Sequence, residues 1–314
     1  MKKLYIPPTL ALFLLSPAIG ELLSGSSPPL EFFNPFAFFF MASLYGSGAI
    51  IVRELKIRWK KDFRALLLLG AAYGILEEGL MVKSFFDPQW MDLGILGTFG
   101  RWAEVNWVWA EMLTIYHAVF SITIPIALVE LCYPDRKDER WAGKRLFTSL
   151  TVLISAVTVI GFLFLTPYRP PPVQYALAVV AMSLFIYAAY KLPRKEKTKT
   201  KGKVGDAKIL FFLGVTGSST FFMLFWAGPA FIDSPIIIML LGLALILGLQ
   251  KIYSRYDWRS PSFALSRFAA VAGALSFMVC LAFILEFQYT GMSLVGIATM
   301  VGLWLLRRRI RRTG

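Results

Sequence analysis

The feature that most constrains this chain is the recurrence of apolar runs along its whole length. A run of about 20 apolar residues crosses the hydrocarbon core of a bilayer as a helix. With 57% hydrophobic residues among 314 and a mean hydropathy of +0.63, the chain has more apolar surface than a water-soluble protein of this size buries. We therefore predict an all-α integral membrane protein, multi-pass in the cell membrane, with about ten transmembrane helices. These spans, numbered one to ten, are 5–24, 35–55, 64–86, 106–131, 146–166, 173–191, 207–226, 235–253, 264–285 and 289–306.

The basic charge of the chain, +14 at neutral pH, follows this topology. If the loops alternate between two sides, the outer side keeps only Lys83, Arg101 and Arg169, and the inner side holds the other 30 of the 33 Lys and Arg residues. The positive-inside rule then predicts that the N- and C-termini are both cytoplasmic. Basic inner loops favour anionic lipid at the cytoplasmic face. Because the basic residues serve topology, no nucleic acid is expected as a partner, and the pattern indicates no particular oligomeric state.

The spans fall into two parts separated by a Lys-rich cytoplasmic loop at 191–208. Residues 1–190 form a six-helix membrane part, and residues 209–314 form a four-helix part that is almost wholly apolar. Small residues such as Gly214 and Gly273 in the second part predict close helix packing. The first 20 residues also have the pattern of a cleavable signal peptide, although Pro7 and Pro8 favour a retained first helix. The scarcity of Asn and Gln beside frequent Lys, Arg and Glu suggests a thermophile.

Ionisable residues at membrane depth are concentrated in the first four spans and their outer loops, which therefore hold the candidate site. Arg53 and Glu54 lie at the inner edge of span two, where charge is ordinary. The candidate residues are Glu21, Glu77, Glu78, Lys83, Arg101, Glu104, Glu111 and His117.

The positions along spans three and four bring part of this set to one level. With a rise of about 1.5 Å per residue, Glu78, Glu111 and His117 lie at comparable depths in antiparallel helices. Glu78 follows Gly70 and Gly74 at intervals of four, which predicts a small-residue stripe against another helix. Successive residues of an α-helix point in different directions, so Glu77 and Glu78 are not expected to share one. A polar seam is predicted along span four, at Asn106, Ala110, Thr114, His117 and Ser121.

Transport is the function that these residues favour. A carboxylate left charged at the membrane centre costs about 3 kcal/mol, so it is expected to line a site or pathway. In an ion-coupled carrier, Glu78 and Glu111 would accept protons or cations and His117 would relay them. Asn106 and Thr114 would then form the wall of a polar cavity.

An intramembrane enzyme is the alternative, with Glu78, Glu111 and His117 as possible metal ligands. The stretches "EEGLMVK" and "LTIYH" resemble the Glu-Glu and histidine motifs of the CPBP (Abi) intramembrane proteases over about residues 70–120. That resemblance implies a role for Glu77, Glu78 and His117. The chain departs from the family, because Val82 stands where its first motif has Arg, Leu113 stands for the Phe of its second, and His117 is the only histidine.

A third possibility is a membrane scaffold or subunit without catalysis. Glu77 and Glu78 would then only bond across helices, to Asn106, Thr114 or the backbone. If they are charged, their possible partners are Lys83, Arg101, His117, water or a bound ion. No phosphate-binding, haem-attachment or dinucleotide motif is present, so the sequence does not identify a cofactor, which stays unknown.

Overall fold

The computed structural model describes residues 6–194, 206–256 and 263–313, and these residues form ten long helices. Most of the predicted basic loop at 191–208 lies outside the described residues. Helix α3 consists of Phe63–Gly74 continued by Ile75–Met81. The other nine helices are α1 (Pro8–Leu22), α2 (Pro35–Arg58), α4 (Trp107–Cys132), α5 (Lys144–Phe164), α6 (Pro172–Lys191), α7 (Ala207–Ala230), α8 (Pro235–Tyr253), α9 (Ala264–Leu285) and α10 (Met292–Thr313).

These helices correspond to the ten predicted spans, and the all-α membrane architecture is confirmed. Within the described ranges, seven of them are long and apolar enough to cross a bilayer. The other three are α1, which is shorter, and α3 and α10, which carry more charge. Span three was predicted to reach residue 86, but the helix ends at Met81, because Lys83 adopts a left-handed conformation with φ 67°. Span ten was predicted to end at 306, but the helix continues through the arginines that follow.

Each of the first four helices contains a π-helical segment, in which the turn is wider than in an α-helix. These segments are Ala18–Leu22, Ala42–Gly46, Ile75–Met81 and His117–Thr123. In α1 the segment follows Pro17, and in α4 it precedes Pro125. Proline lacks the N–H of a regular helix and so favours such an interruption.

Helix α4 lies at the centre of the molecule, because it contributes to both large hydrophobic clusters. Tyr116 and Phe120 of α4 pack with Phe222 of α7 in one cluster. Ile122 and Ile126 belong to the second cluster, which includes residues of α1, α2 and α3. Exposed Leu, Val and Phe side chains cover the outward faces of α5, α6 and α8, as expected for helices that face lipid.

Glycines set the closest helix contacts. A β-carbon at Gly273 of α9 would lie 2.1 Å from the carbonyl oxygen of Phe211 in α7, so these two helices touch through their backbones, in agreement with the predicted small-residue packing. A β-carbon at Gly70 of α3 would lie 2.7 Å from Cα of Ala118 in α4. The stripe that Gly70 begins therefore does face another helix.

The outer connections are short except between α3 and α4. There the chain forms a 3₁₀ turn at Gly94–Gly97 and a two-stranded antiparallel hairpin, β1 (Arg101–Trp102) and β2 (Val105–Asn106). Before α2, a short helix covers Pro29–Phe32, and the Asn34 side chain accepts hydrogen bonds from the N–H groups of Phe36 and Ala37, as a helix N-cap does.

A buried ion network joins α2 and α4 on the basic side of the molecule. Nζ of Lys56 lies 2.7 Å from Oε1 of Glu130, and Nε of Arg53 lies 3.4 Å from the same oxygen. The Arg53 guanidinium also pairs with Glu54 at 3.3 Å and lies 3.2 Å from the centre of the Trp141 ring. Arg53 and Glu54 are wholly buried, so the expectation of ordinary edge charges there was wrong. We call Arg53, Glu54, Lys56 and Glu130 the inner ion network.

Candidate functional site

The candidate site is centred on His117, whose ring lies between two glutamates of the neighbouring helix. Nδ1 of His117 is 3.3 Å from Oε2 of Glu77, and Nε2 is 3.1 Å from Oε1 of Glu78. The imidazole is 2% exposed and Glu77 is 5% exposed, so both are shielded from solvent and lipid. The result is a buried carboxylate–imidazole–carboxylate arrangement between α3 and α4.

Glu77 and Glu78 point in different directions and still reach the same ring, because each approaches its own nitrogen from a different side. Both lie in the π-helical segment Ile75–Met81, where the turn is wider than in an α-helix. Gly74 allows this approach, because a β-carbon there would lie 3.1 Å from Cβ of His117.

A third carboxylate, that of Glu21, belongs to the same polar region. The Tyr45 hydroxyl donates a short hydrogen bond to Oε1 of Glu21, and the Ser27 hydroxyl donates to Oε2 at 3.0 Å. The Tyr45 ring lies 6.0 Å from the ring of His117, centre to centre. We call Glu21, Glu77, Glu78 and His117 the Glu/His cluster. Each of its members lies in the π-helical segment of its own helix.

Hydroxyl and indole groups complete the surroundings of the cluster. The Ser84 hydroxyl makes a short hydrogen bond to Glu78 and accepts one from Nε1 of Trp109 at 3.0 Å. The Ser121 hydroxyl lies 3.0 Å from Nδ1 of His117. The Tyr73 hydroxyl is buried beside the cluster, next to the Glu77 carboxylate.

Glu111 does not join the cluster, contrary to the predicted set of Glu78, Glu111 and His117. Its carboxyl group points to a different side of α4, toward α8, where a β-carbon at Gly242 would lie 2.8 Å from its Oε1. That oxygen is buried and makes no hydrogen bond to any described residue. Equal depth in the membrane was therefore not sufficient to bring Glu111 to His117. The two residues occupy different sides of α4, and the residue beside the imidazole is Glu77 of α3.

The predicted cationic partners are also bound elsewhere. Nζ of Lys83 donates to the carbonyl oxygens of Phe162 and Thr166, at 2.7 and 3.1 Å, at the C-terminal end of α5. A cation at that position is stabilised by the unpaired carbonyls of the helix end. Nη2 of Arg101 donates to the carbonyl oxygen of Phe86 at 2.5 Å and lies 3.8 Å from Glu104. Neither cation neutralises the cluster.

The residues of the predicted polar seam of α4 do not form one continuous surface, because they lie in three different surroundings. Asn106 caps the helix, since its side chain accepts the N–H of Trp109 at 3.0 Å and donates to the Leu96 carbonyl oxygen. Thr114 faces an apolar groove beside α3. Of the seam, His117 contacts the glutamates and Ser121 contacts the His117 ring.

The chemistry open to the cluster is the binding of a cation. One ligand atom from each of Glu77, Glu78 and His117 can be chosen so that all lie within 4.8 Å of one another, a spacing that fits a metal ion. In the present arrangement both imidazole nitrogens face carboxylates, so a metal ion would have to displace one of these contacts. Protons shared between the imidazole nitrogens and the two carboxylates need no such displacement.

Sequence reasoning missed Tyr45, Tyr73, Ser84 and Trp109 as neighbours of the cluster. Aromatic residues in a membrane chain are too common to single these out. One available signal was proline, because Pro17 and Pro125 lie beside the interruptions in α1 and α4.

Comparison with curated proteins and with solved structures found no match to this chain. A family model, by contrast, matches residues 10–311, a range that contains all four residues of the Glu/His cluster. The chain therefore belongs to the family described as an uncharacterized membrane protein family.

Proposed function

We propose that the protein is a proton-coupled membrane carrier and that the Glu/His cluster is its coupling site. The observation that carries this proposal is the excess of buried negative charge: three carboxylates surround one imidazole. Among the described residues, no lysine or arginine forms a salt bridge with Glu21, Glu77 or Glu78. Each unneutralised carboxylate at membrane depth costs about 3 kcal/mol, so the cluster needs protons or another cation.

The surroundings of the cluster support access from the outer side. The Ser27 hydroxyl, which bonds Glu21, also lies 3.5 Å from a carboxylate oxygen of the exposed Glu31. Asp92 of the outer loop lies close enough to Glu78 for the two carboxylates to interact electrostatically. Partial desolvation and the carboxylates of Glu78 and Glu31 raise the pKa of Asp92 above its usual value. Carboxylates on the outer side of the cluster attract cations and repel anions.

The opposite side of the cluster supports a closed path. Toward the basic side, Gly70 packs directly on Ala118, and the buried side chains of Leu66, Leu69 and Ile122 follow. Beyond them lies the inner ion network. A site that is sealed toward the basic side and has further carboxylates between it and the outer loops fits one of the two states that a carrier alternates between.

The proposal is tested by measuring protonation of the cluster directly. Infrared difference spectra of the purified protein between acidic and alkaline pH report carboxyl groups that gain protons. We expect Glu78→Gln and His117→Ala to remove a large part of this signal, because each deletes a partner of the shared protons. Glu78→Gln keeps the size of the side chain and is expected to melt within a few degrees of the wild type. His117→Ala leaves a cavity and removes the partner of two buried carboxylates, so it is expected to fold with a lower melting temperature.

Glu104→Gln is the matched control, because Glu104 is 65% exposed at the outer surface and should leave the buried signal unchanged. Identical difference spectra for the wild type and both cluster variants would overturn the proposal. Proton movement in reconstituted vesicles, with the same variants, then tests whether the protonation is coupled to transport.

A metal-dependent intramembrane hydrolase is the second candidate, favoured by the spacing of Glu77, Glu78 and His117. Elemental analysis of the same preparations separates it from the carrier. One zinc or similar ion per chain, lost in Glu78→Gln and His117→Ala and retained in Glu104→Gln, would overturn the proposal of a proton-coupled carrier in favour of the hydrolase.

A further inference from the structure

An apolar groove of about 910 Å³ lies between α3, α4, α6 and α8, on the side of α4 that faces away from the Glu/His cluster. The volume is in the range of sites that bind drug-sized molecules. Its walls are mostly aliphatic, with contributions from Leu67 of α3, Ala181 of α6 and Leu243 of α8. A molecule that occupies this groove must therefore be largely apolar.

The groove opens toward the lipid-facing surface between α6 and α8. Leu177 of α6 is 58% exposed, and Leu240 and Leu247 of α8 are 61% and 54% exposed. All three line the groove as well as the outer surface. A ligand can thus enter from the bilayer, which selects for molecules that partition into it.

Glu111 supplies the only uncompensated charge among the residues that line the groove. The other ionisable lining residue, Arg64, lies at the basic end, where its Nη2 pairs with Asp62 at 2.9 Å. Oε1 of Glu111 is buried without a hydrogen-bond partner in the described part of the chain. A carboxyl group in an apolar wall with no partner is a strong site for a positive charge.

Aromatic rings surround the approach to this carboxyl group. Trp107 lies one helical turn before Glu111 on the same face of α4 and lines the outer end of the groove, together with Trp102, Phe85 and Phe86. The faces of such rings attract cations, and most strongly those with dispersed charge and weak hydration.

We propose that this groove binds lipophilic organic cations, with Glu111 as the counter-charge and the aromatic residues around Trp107 as cation–π partners. The site is separate from the Glu/His cluster, to which it contributes no residue, so it does not depend on the proposed coupling function. Neutral lipids would fill the same volume but would leave Glu111 unpaired. Anionic amphiphiles would be repelled by it.

Equilibrium dialysis of the reconstituted protein with tetraphenylphosphonium tests this inference. Tetraphenylborate serves as the matched probe, because it has the same shape and the opposite charge. We expect saturable binding of one tetraphenylphosphonium per chain and about ten-fold weaker binding to Glu111→Gln, which keeps the size of the side chain and removes its charge. Glu111→Asp, which keeps the charge, should retain most of the affinity, and Glu104→Gln should bind as the wild type does.

Ala181→Trp, which fills the groove, should abolish saturable binding while leaving the melting temperature close to that of the wild type. Equal affinity of the wild type and a folded Glu111→Gln for tetraphenylphosphonium would overturn the proposal. Saturable binding of tetraphenylborate at the same affinity would also overturn it, because the groove would then select for shape and apolarity alone.

Discussion

At the scale of single residues, the inner ion network shows how this protein accommodates charge inside a membrane. Glu130 accepts contacts from Lys56 and Arg53, and all three side chains are nearly or wholly buried. Such a network adds little net stability when complete, because desolvation offsets the attraction between the charges. Removing one member is costly, because the charges that remain stay buried and lose part of their compensation.

We therefore predict that Glu130→Ala lowers the free energy of unfolding by about 3–5 kcal/mol, since it removes the carboxylate that Lys56 and Arg53 share. Unfolding of the purified protein by heat or by sodium dodecyl sulfate provides the measurement. Glu139→Ala is the matched control: Glu139 pairs with Arg136 at 3.0 Å but is about half exposed, so a loss below about 1 kcal/mol is expected. Equal losses in the two variants would contradict this account of the network.

At the scale of helices, the contact between α3 and α4 determines whether the Glu/His cluster exists. Gly70 and Gly74 allow α3 to approach α4 until its backbone touches Ala118 and His117. This closeness brings Glu77 and Glu78 within hydrogen-bond distance of the imidazole. The cluster therefore depends on residues that have no chemistry of their own.

Gly70→Ala is predicted to destabilise the protein by about 2–3 kcal/mol and to weaken proton binding at the cluster, because its β-carbon would lie 2.7 Å from Cα of Ala118. Thermal unfolding and the infrared difference signal measure the two effects. The control is Gly248→Ala in α8, where a β-carbon meets no atom within 4 Å. That change should be neutral or stabilise by up to about 1 kcal/mol. A neutral Gly70→Ala would show that α3 and α4 have room to separate.

The positions of the helices were predictable from the sequence. The directions of the polar side chains inside the bundle of the first four helices were not. Apolar runs of sufficient length determine where a chain crosses a bilayer, so every predicted span corresponds to a helix. The small-residue stripe of Gly70 and Gly74 was also visible, because it repeats at helical intervals. The direction of the Glu77 side chain could not be read from the sequence. The prediction assumed 3.6 residues per turn, and the π-helical segment does not follow that period.

The sequence also led to a wrong position for Glu111, which was predicted to lie beside Glu78 and His117. Depth along an axis can be counted from a sequence, so Glu78, Glu111 and His117 were expected at one level. Which side of α4 each residue occupies depends on the packing of α3, α6 and α8 around it. That packing arises from contacts between distant parts of the chain, which a single sequence does not report.

At the scale of the whole molecule, the charge asymmetry predicts one orientation. The long loop after α4 carries basic residues, and the connection between α3 and α4 lies on the opposite side. The positive-inside rule places the first of these in the cytoplasm. The Glu/His cluster, near the outer ends of its helices, then faces the exterior, and the inner ion network faces the cytoplasm.

This orientation is measurable with single cysteines. Cys132 and Cys280 are both free, so replacing them with serine gives a background without reactive thiols. In intact cells, a membrane-impermeant maleimide should label Met91→Cys, which is 87% exposed in the outer connection, and should leave Asp138→Cys unlabelled until the cells are opened. The reverse pattern would show that the molecule has the opposite orientation.

The π-helical segments of the first four helices have a consequence for motion. A wide turn contains one residue more than the α-helix needs, and this surplus can pass along a helix without breaking it. If the wide turn of α3 moved outward past Glu77 and Glu78, these residues would rotate about the helix axis by roughly 100°. Glu78 would then swing away from His117, while Gly70 kept its place against Ala118. The turns that assemble the Glu/His cluster thus also provide a way to take it apart and rebuild it without unpacking the core.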